Sequence, residues 1–590
     1  LPLILLDLFN RAPEDLSPAA LDQFGEDHVF GALPDGRLLP IPATRLKAML
    51  EALYELFASR RVRDDGKLRL SRAEMTRLTA IETALPAETV AWHGGQSLRE
   101  MARRLASTSE IPAVGPPKGL KATLRHYQEE GFAWLQFLAG LGLSGVLADD
   151  MGLGKTVQAL AHILAEKHAG NLIKPCLIVC PTSLVPTWRN EARKFAPDLT
   201  VLVLHGNQRR ELFDEIDEHD VVLTSYALLL RDKDLLLEHK YRMVVLDEAQ
   251  AIKNPATKLA RTAYQLDAEH RVALSGTPME NHLGELWSVF NFLMPGFLGD
   301  RETFRRVFRN QIEKEGDTAR QVLLASRVRP FLLRRTKEQV AAELPPKQEV
   351  VQEIELAEGQ RDLYESVRLS MHKRVRDEIE QRGLARSNIA ILEALLKLRQ
   401  VCWDPRLLKG ERGASAPSAK FELLMDMLPS MVEAGRGVIV FSQFVEMLDL
   451  IAAGLTEQQI AFVTLTGQTK DRETPVRRFQ DGEVPVFLIS LKAGGTGLTL
   501  TRADTVIHYD PWWNPAVENQ ATDRAHRIGQ DKTVFVYKLI AEGTVEEKMV
   551  ELQSKKQALV DSVLSGTGAG LAFTEADIEA LFAPLPELEP

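Results

Sequence analysis

"LADDMGLGKT", residues 147–156, is the stretch on which the fold turns. A short apolar run breaks into a loop with glycine at 152 and 154, and Lys155 and Thr156 then open a helical stretch. Backbone N–H groups of Gly152, Leu153, Gly154 and Lys155, together with a helix dipole, face an anion in such an arrangement. Lys155 is placed to reach the β- and γ-phosphates of a nucleotide, and Thr156 to ligate Mg2+. The generic phosphate-loop pattern has glycine where this chain has Asp149, so the loop alone also fits a chance Gly-Leu-Gly-Lys-Thr.

Outward from this loop, short apolar β-type runs alternate with helical stretches: "GVLAD", "CLIVC", "TVLVL", "VVLTS", "RMVVLDE" and "RVALSG". That rhythm predicts a parallel sheet covered by helices over 120–345. It returns as "GVIVFS", "FVTLTG", "VPVFLIS", "DTVIHYD" and "TVFVYKL" over 419–543, a second α/β unit. Residues 350–418 between them read as helical and charged, without strand rhythm.

In the first unit "VVLDEAQ", 244–250, brings two carboxylates to the end of an apolar strand. Asp247 is suited to hold Mg2+, and Glu248 to orient or deprotonate an attacking water. An acidic pair after a strand is also a common helix N-cap, but with the phosphate loop upstream the pair points to nucleotide hydrolysis. Gln128 in "LRHYQ" is a candidate reader of an adenine edge. In the second unit "QATDRAHRIGQ", 520–530, carries Arg524 and Arg527, whose spacing predicts one shared helical face, and Gln520 four residues before the first. Such a pair is usually solvated surface. Opposite a hydrolytic site it supplies the cations that the transferred phosphoryl group needs, an arginine finger delivered by lobe closure.

Composition sets outer limits. The 590 residues are 45% hydrophobic and 26% charged, an ordinary globular balance long enough for several cores. Three cysteines make no disulfide scaffold and fit a reducing cytosol. No apolar run in the sequence approaches the roughly 20 residues of a membrane helix. The net charge of −10 is unevenly spread: residues 301–338 hold eleven Lys/Arg against five Asp/Glu, whereas 566–590 hold five acidic residues and no basic one. Residues 1–111 read as an accessory α+β unit, with a hairpin in "VFGALPDGRLLPIP" and helices at 44–58, 71–84 and 97–106. They offer no candidate site and are expected to regulate rather than catalyse. "IPAVGPPKG", 111–119, reads as the linker, and Leu1 in place of Met as the start of a fragment or processed form.

The motifs "LRHYQEEGFAWL", "LADDMGLGKT", "CPTSLVPTWRNE", "LTSYALL", "LDEAQAIKN", "LSGTPMEN", "LRRTKEQV", "LRQVCWDP", "VFSQF", "LTGQT", "SLKAGGTGLTL", "DPWWNP" and "QATDRAHRIGQ" run in one order from about 120 to 550. In this the chain resembles the Swi/Snf-type ATPases, a superfamily II branch of helicase-like DNA translocases, in a bacterial-type form. The family also has Asp at the position of Asp149; Asp150 replaces its more usual Glu, and His126 a common proline. The resemblance implies two RecA-like lobes, a helical insertion from about 279 to 345 and another at 350–418, and a brace helix at 544–565 whose Val545, Met549, Leu552 and Val563 pack back onto the lobes. It implies an ATP site from Gln128, Asp149, Asp150, Met151, Gly152, Leu153, Gly154, Lys155, Thr156 and Gln520. Bacterial members can carry a zinc-binding module upstream; this sequence has no such ligand set.

Family members grip duplex DNA by its phosphates. The small polar residues suited to that here are Thr182, Ser183, Thr224, Ser225, Gln443, Gly467, Thr469, Gly494, Gly495 and Thr496, with Trp513 as a wedge beside the strand. Arg305, Arg306, Arg309, Arg334 and Arg335 are candidates for further phosphate contacts or inter-lobe pairs. The expected function is an ATP- and Mg2+-dependent, monomeric double-stranded DNA translocase that displaces protein–DNA complexes, cytoplasmic if bacterial. A strand-separating DNA or RNA helicase, an RNA-polymerase-associated remodelling ATPase and an inert nucleotide-gated scaffold are the alternatives.

Overall fold

The computed structural model describes residues 28–32, 37–42, 96–106 and 579–586, and 111–551 apart from 207, 277–278, 280–281, 341–343, 383–386, 409–415, 495–497 and 513–514. The expected hairpin is present as β1 (His28–Ala32) and β2 (Leu38–Pro42), paired antiparallel. The helices expected at 44–58 and 71–84 lie outside the described residues.

Seven strands build lobe 1: β3 (Gly145–Leu147), β4 (Cys176–Cys180), β5 (Val201–Val203), β6 (Val221–Ser225), β7 (Lys240–Asp247), β8 (Asp267–Leu274) and β9 (Leu332–Leu333). Their order is β5-β6-β4-β7-β8-β3-β9, and every pairing is parallel. β3, β4 and β6 are buried along their whole length, because helices cover both faces of a parallel sheet. Order places the chemistry. β3 and β7 flank β8, so the loops leaving their carboxyl ends meet above one part of the sheet edge.

Lobe 2 is a second parallel sheet of β10 (Lys347–Ile354), β11 (Val438–Ser442), β12 (Phe462–Leu465), β13 (Val486–Ser490), β14 (Thr505–His508) and β15 (Val534–Ala541). The order is β10-β15-β14-β11-β13-β12. β10 corrects the reading of 350–418 as strandless. It is an edge strand, and its Glu349 pairs with Lys347 at 2.7 Å and with Lys538 of β15 at 3.1 Å. Charge that guards a sheet edge masks the strand pattern. The described remainder of that region is mainly helical as expected, the helices Glu358–Arg382 and Asn388–Trp403 packing on each other.

Two boundaries move. The helix Gln96–Ala106 belongs to lobe 1, where Ala102 and Leu105 are buried in the main core. At the other end Val545 and Met549 are fully buried, while Leu552 and Val563 lie outside the described residues. Residues 579–586, within the expected acidic tail, pack on the helix Glu358–Arg382. Leu581 and Phe582 are buried there, the Phe582 ring stacks on His372 at 5.5 Å, and Arg368 donates to the Phe582 carbonyl at 2.9 Å. Among the described residues no helix is long and apolar enough to cross a membrane.

Leu105→Ala is expected to destabilise lobe 1 by about 2–5 kcal/mol, the range for truncating a buried leucine. Denaturant unfolding measures it, and a change under about 0.5 kcal/mol, the size of an ordinary surface substitution, would return this helix to the accessory unit.

Candidate nucleotide site between the lobes

The phosphate loop is built by glycine geometry. Gly152 and Gly154 sit at φ 86° and 79°, the left-handed region that side chains disfavour, and Gly154 caps the helix Lys155–His168. A Cβ on Gly154 would stand 2.5 Å from Nε2 of Gln128, and one on Gly152 2.6 Å from Cβ of Arg527, so neither position has room for it. Lys155 Nζ donates to the carbonyls of Asp149 (2.6 Å) and Asp150 (3.3 Å). The Thr156 hydroxyl hydrogen-bonds to Glu191.

Asp149 requires a correction. Its fully buried carboxylate accepts from Arg335 Nε (2.9 Å) and Nη2 (2.6 Å) and from Gln158 Nε2 (3.2 Å). It anchors the loop's base. Arg335, set down above as a phosphate or inter-lobe candidate, is spent on this pair within lobe 1. The Asp150 carboxylate accepts from the Lys337 amide at 3.1 Å. Gln128 is likewise engaged: its Oε1 accepts from the Arg125 amide at 3.0 Å and its Nε2 donates to the Leu153 carbonyl at 3.0 Å. It braces the loop from beneath. Beside it opens a cleft of about 580 Å³ lined by Arg125, His126, Tyr127, Glu130, Gln339 and Val340.

At the end of β7, Asp247 accepts from Trp188 Nε1 at 2.7 Å and from the Glu248 amide at 2.9 Å. Burial, and then the neighbouring Glu248, push its carboxyl up to about 7. Glu248 holds a left-handed backbone (φ 53°, ψ 53°), a conformation that costs a non-glycine residue about 1–2 kcal/mol. Residues kept in such geometry cluster at functional sites. Its Oε2 accepts from Gln250 at 2.7 Å and, across the cleft, from Gln520 at 3.4 Å.

Arg524 and Arg527 meet this site, but not from one helical face. The helix Pro515–Thr522 ends before them. The segment runs on as a turn: the Arg524 carbonyl accepts from the Leu500 amide (2.9 Å), and the Ala525 carbonyl from the Arg527 amide (3.2 Å) and from Gln530 Nε2 (3.1 Å). Arg524 is 1% exposed, and among the described residues its Nε and Nη2 have no hydrogen-bond partner. Burial pushes its guanidinium down to about 10 against the favourable field of Glu248. Arg527 packs on Gly152, donates to Thr499 at 2.8 Å, and feels Glu191. Two buried donors beside a glycine cradle and a lysine fit an anion with several oxygens. Glu191, Trp188 and Lys337 are site residues that the motif reading passed over; "PTWRNE" was the available signal for the first two.

The DNA residues divide. Thr182 and Gly467 are exposed, and Thr469 accepts from the Thr466 amide at 2.9 Å. Thr224 and Ser225 are each 1% exposed, which takes their side chains from the surface, and the half-buried Gln443 donates its side-chain amide to the Pro511 carbonyl at 2.9 Å. Ser183 is half-buried, Gly494 ends the helix Leu491–Gly494, and Gly495, Thr496 and Trp513 lie outside the described residues. Arg306 is exposed; Arg305 pairs with Glu302 at 2.6 Å and Arg309 with Glu313 at 2.9 Å.

Breaking the Arg335–Asp149 pair strands a buried charge, so Asp149→Ala and Arg335→Ala should each cost about 3–5 kcal/mol. Unfolding midpoints test this. Wild-type stability in both would mean the pair is replaceable by solvent.

Known families and proteins match both lobes of the chain. The SNF2-related domain matches residues 127–407, and the helicase conserved C-terminal domain matches 419–529. A putative ATP-dependent helicase/translocase of Bacillus subtilis, YwqA, is 41% identical over 503 residues, taking in 82% of this chain and 54% of its own. An uncharacterized ATP-dependent helicase of Mycoplasma pneumoniae is 40% identical over 450 residues, 75% of this chain and 42% of its own. The chain thus spans about half the length of these relatives. A Sulfolobus solfataricus SWI2/SNF2 ATPase core, solved in complex with double-stranded DNA, is 37% identical and covers 77% of this chain and 96% of its own, with a TM-score of 0.41. With both domains matched in sequence and in order around one composite site, the chain belongs to the SWI2/SNF2 family of helicase-like ATPases.

Proposed function

We propose that the protein hydrolyses ATP in the cleft between its lobes and uses the cycle to move along double-stranded DNA, displacing bound proteins without processive strand separation. The observation that carries the ATPase reading is Arg524: a buried guanidinium, supplied by lobe 2 beside Glu248 of lobe 1, with two nitrogens that have no partner among the described residues. Lys155 and the amides of the glycine loop hold the phosphates, and the cleft beside Tyr127 takes the base. Thr156 and Asp247 would hold Mg2+, which supplies charge neutralisation on the phosphate oxygens. Glu248, fixed by Gln250 and Gln520, orients the attacking water and receives its proton. Arg524 and Arg527 neutralise charge on the transferred group, so turnover waits on closure.

Movement along DNA rests on the two-lobed architecture, on exposed loop groups such as Thr182 and Gly467, and on the translocase reading of the Bacillus relative. Groups of this sort grip phosphates and read no bases. The motor acts as a monomer on DNA in the cytoplasm, with DNA-bound complexes, RNA polymerase among them, as clients.

Lys155→Ala should abolish ATP turnover, and Glu248→Gln should retain ATP while losing hydrolysis. Arg524→Ala should cut turnover by roughly 10³-fold with nucleotide binding near normal, as loss of an arginine finger does. Normal turnover in any of the three refutes its assigned role. For movement, turnover should rise with duplex DNA of any sequence and weaken steeply with salt. A third strand should be displaced from a triplex while a forked duplex stays paired. Fork unwinding without triplex displacement would make the protein a strand-separating helicase.

A further inference from the structure

The chain leaves lobe 1 at Leu333 and enters lobe 2 at Lys347. In that connection Lys337 opens a single helical turn, Lys337–Val340, and is only 7% exposed. A buried ammonium has three donors to place and a large desolvation cost to offset. Lys337 Nζ donates to Asp523 Oδ1 at 2.5 Å and to the His526 carbonyl, both on lobe 2. Its own amide donates to the Asp150 carboxylate on lobe 1 at 3.1 Å. A second tie runs the same way, His526 Nε2 lying 2.9 Å from the Pro345 carbonyl.

The positions of these partners matter. Asp150 directly precedes Met151 at the mouth of the phosphate loop, and Asp523 directly precedes Arg524. One residue therefore touches both halves of the nucleotide site, its backbone amide on Asp150 and its ammonium on Asp523. Burial, and with it the Asp523 carboxylate, raise the cost of ionising Asp150, and the Lys337 amide and ammonium act against them. Withdrawing lobe 2 would take Asp523 and the His526 carbonyl from the ammonium and leave the two partners unmatched. That makes the contact specific to the closed arrangement.

We infer that Lys337 is a positioning residue, which couples lobe closure to ATP turnover by clamping the inter-lobe connection to Asp150 of the phosphate loop and to Asp523 of the arginine segment. It touches neither phosphate nor water itself. Its work is to set how deeply Arg524 and Arg527 enter the cleft, and the inference rests on the ATPase reading above.

The test uses the full chain with Lys337→Met, Asp523→Asn, Lys337→Arg and the reversed pair Lys337→Asp with Asp523→Lys. Nucleotide affinity is read with a fluorescent ATP analogue, turnover with saturating duplex DNA, and closure by the distance between dyes at Ile173→Cys and Glu457→Cys. The three native cysteines are buried, and both labelled positions are exposed. Lys337→Met should lower kcat by about 10²-fold, the effect of a misplacement near 1 Å in the reacting groups. Nucleotide affinity should change by less than about threefold, and the closed population should shrink, because ground-state binding does not use the clamp. Lys337→Arg should recover part of the rate, and the reversed pair should exceed either of its single members by about tenfold, a coupling that independent sites do not show. A kcat within about twofold of wild type for Lys337→Met overturns the inference. So does a parallel loss of thermal stability and nucleotide binding that neither Lys337→Arg nor the reversed pair repairs, which marks a residue needed only for folding. If wild-type protein itself shows no ATPase, the underlying reading fails instead, and the dye distance still reports on the clamp.

Discussion

Arg335 holds the nucleotide side of lobe 1 together. It emerges just after β9 and sends a planar fork into the Asp149 carboxylate, a further donor to Gln158 Oε1 at 3.0 Å, and another to the Tyr127 carbonyl. Its guanidinium also lies over the Tyr127 ring at 5.4 Å. One cation thus registers three separate pieces of chain: the helix that carries Gln128, the base of the phosphate loop, and the connection toward lobe 2. A lysine offers a point charge and cannot make the same set of directed bonds. The aspartate that stands where the generic loop has glycine is explained by this partner, and the loop keeps its left-handed glycines at 152 and 154 for the phosphate side.

The division of labour across the cleft follows from burial. Lobe 1 presents acids and a lysine on a rigid sheet edge, where Trp188 and the Glu248 amide fix Asp247 by hydrogen bonds. Lobe 2 presents guanidinium groups on a turn that the Leu500 amide and the Gln530 side chain tie down by its carbonyls. Each half is incomplete alone. A buried arginine with unmatched donors is costly in isolation and favourable beside an anion, so the same feature that weakens lobe 2 by itself makes it selective for the closed, loaded state.

Much of this was legible in the chain because buried parallel strands are continuous apolar runs, and every run singled out became a strand. β10 escaped notice because an edge strand carries charge, and β9 because two residues are too few for a pattern. Phosphate chemistry was legible since glycine, lysine and paired acids at fixed spacing have few other uses. The Asp149–Arg335 bond was not, because its partners lie 186 residues apart and leave no local trace. Thr224 and Ser225 show the same limit from another side. A polar pair ending a strand reads alike whether it faces solvent or core, and here both side chains are buried.

The sheet order of lobe 2 bears on how the chain is made. Lobe 1 has all seven strands once Leu333 has been synthesised, and N-terminal units generally fold first as the chain emerges. β10 follows at once, yet in the finished sheet it lies at the edge, pairing Lys347 with Val534 through to Ile354 with Ala541. It therefore waits on the ribosome while the intervening helices and five other strands are made. An unpaired strand in that interval is a template for misassociation, and Lys347, Glu349 and Glu353 are the charges that discourage it. The earliest strand of lobe 2 is the last to find its place, and its polarity suits that delay as much as the native edge.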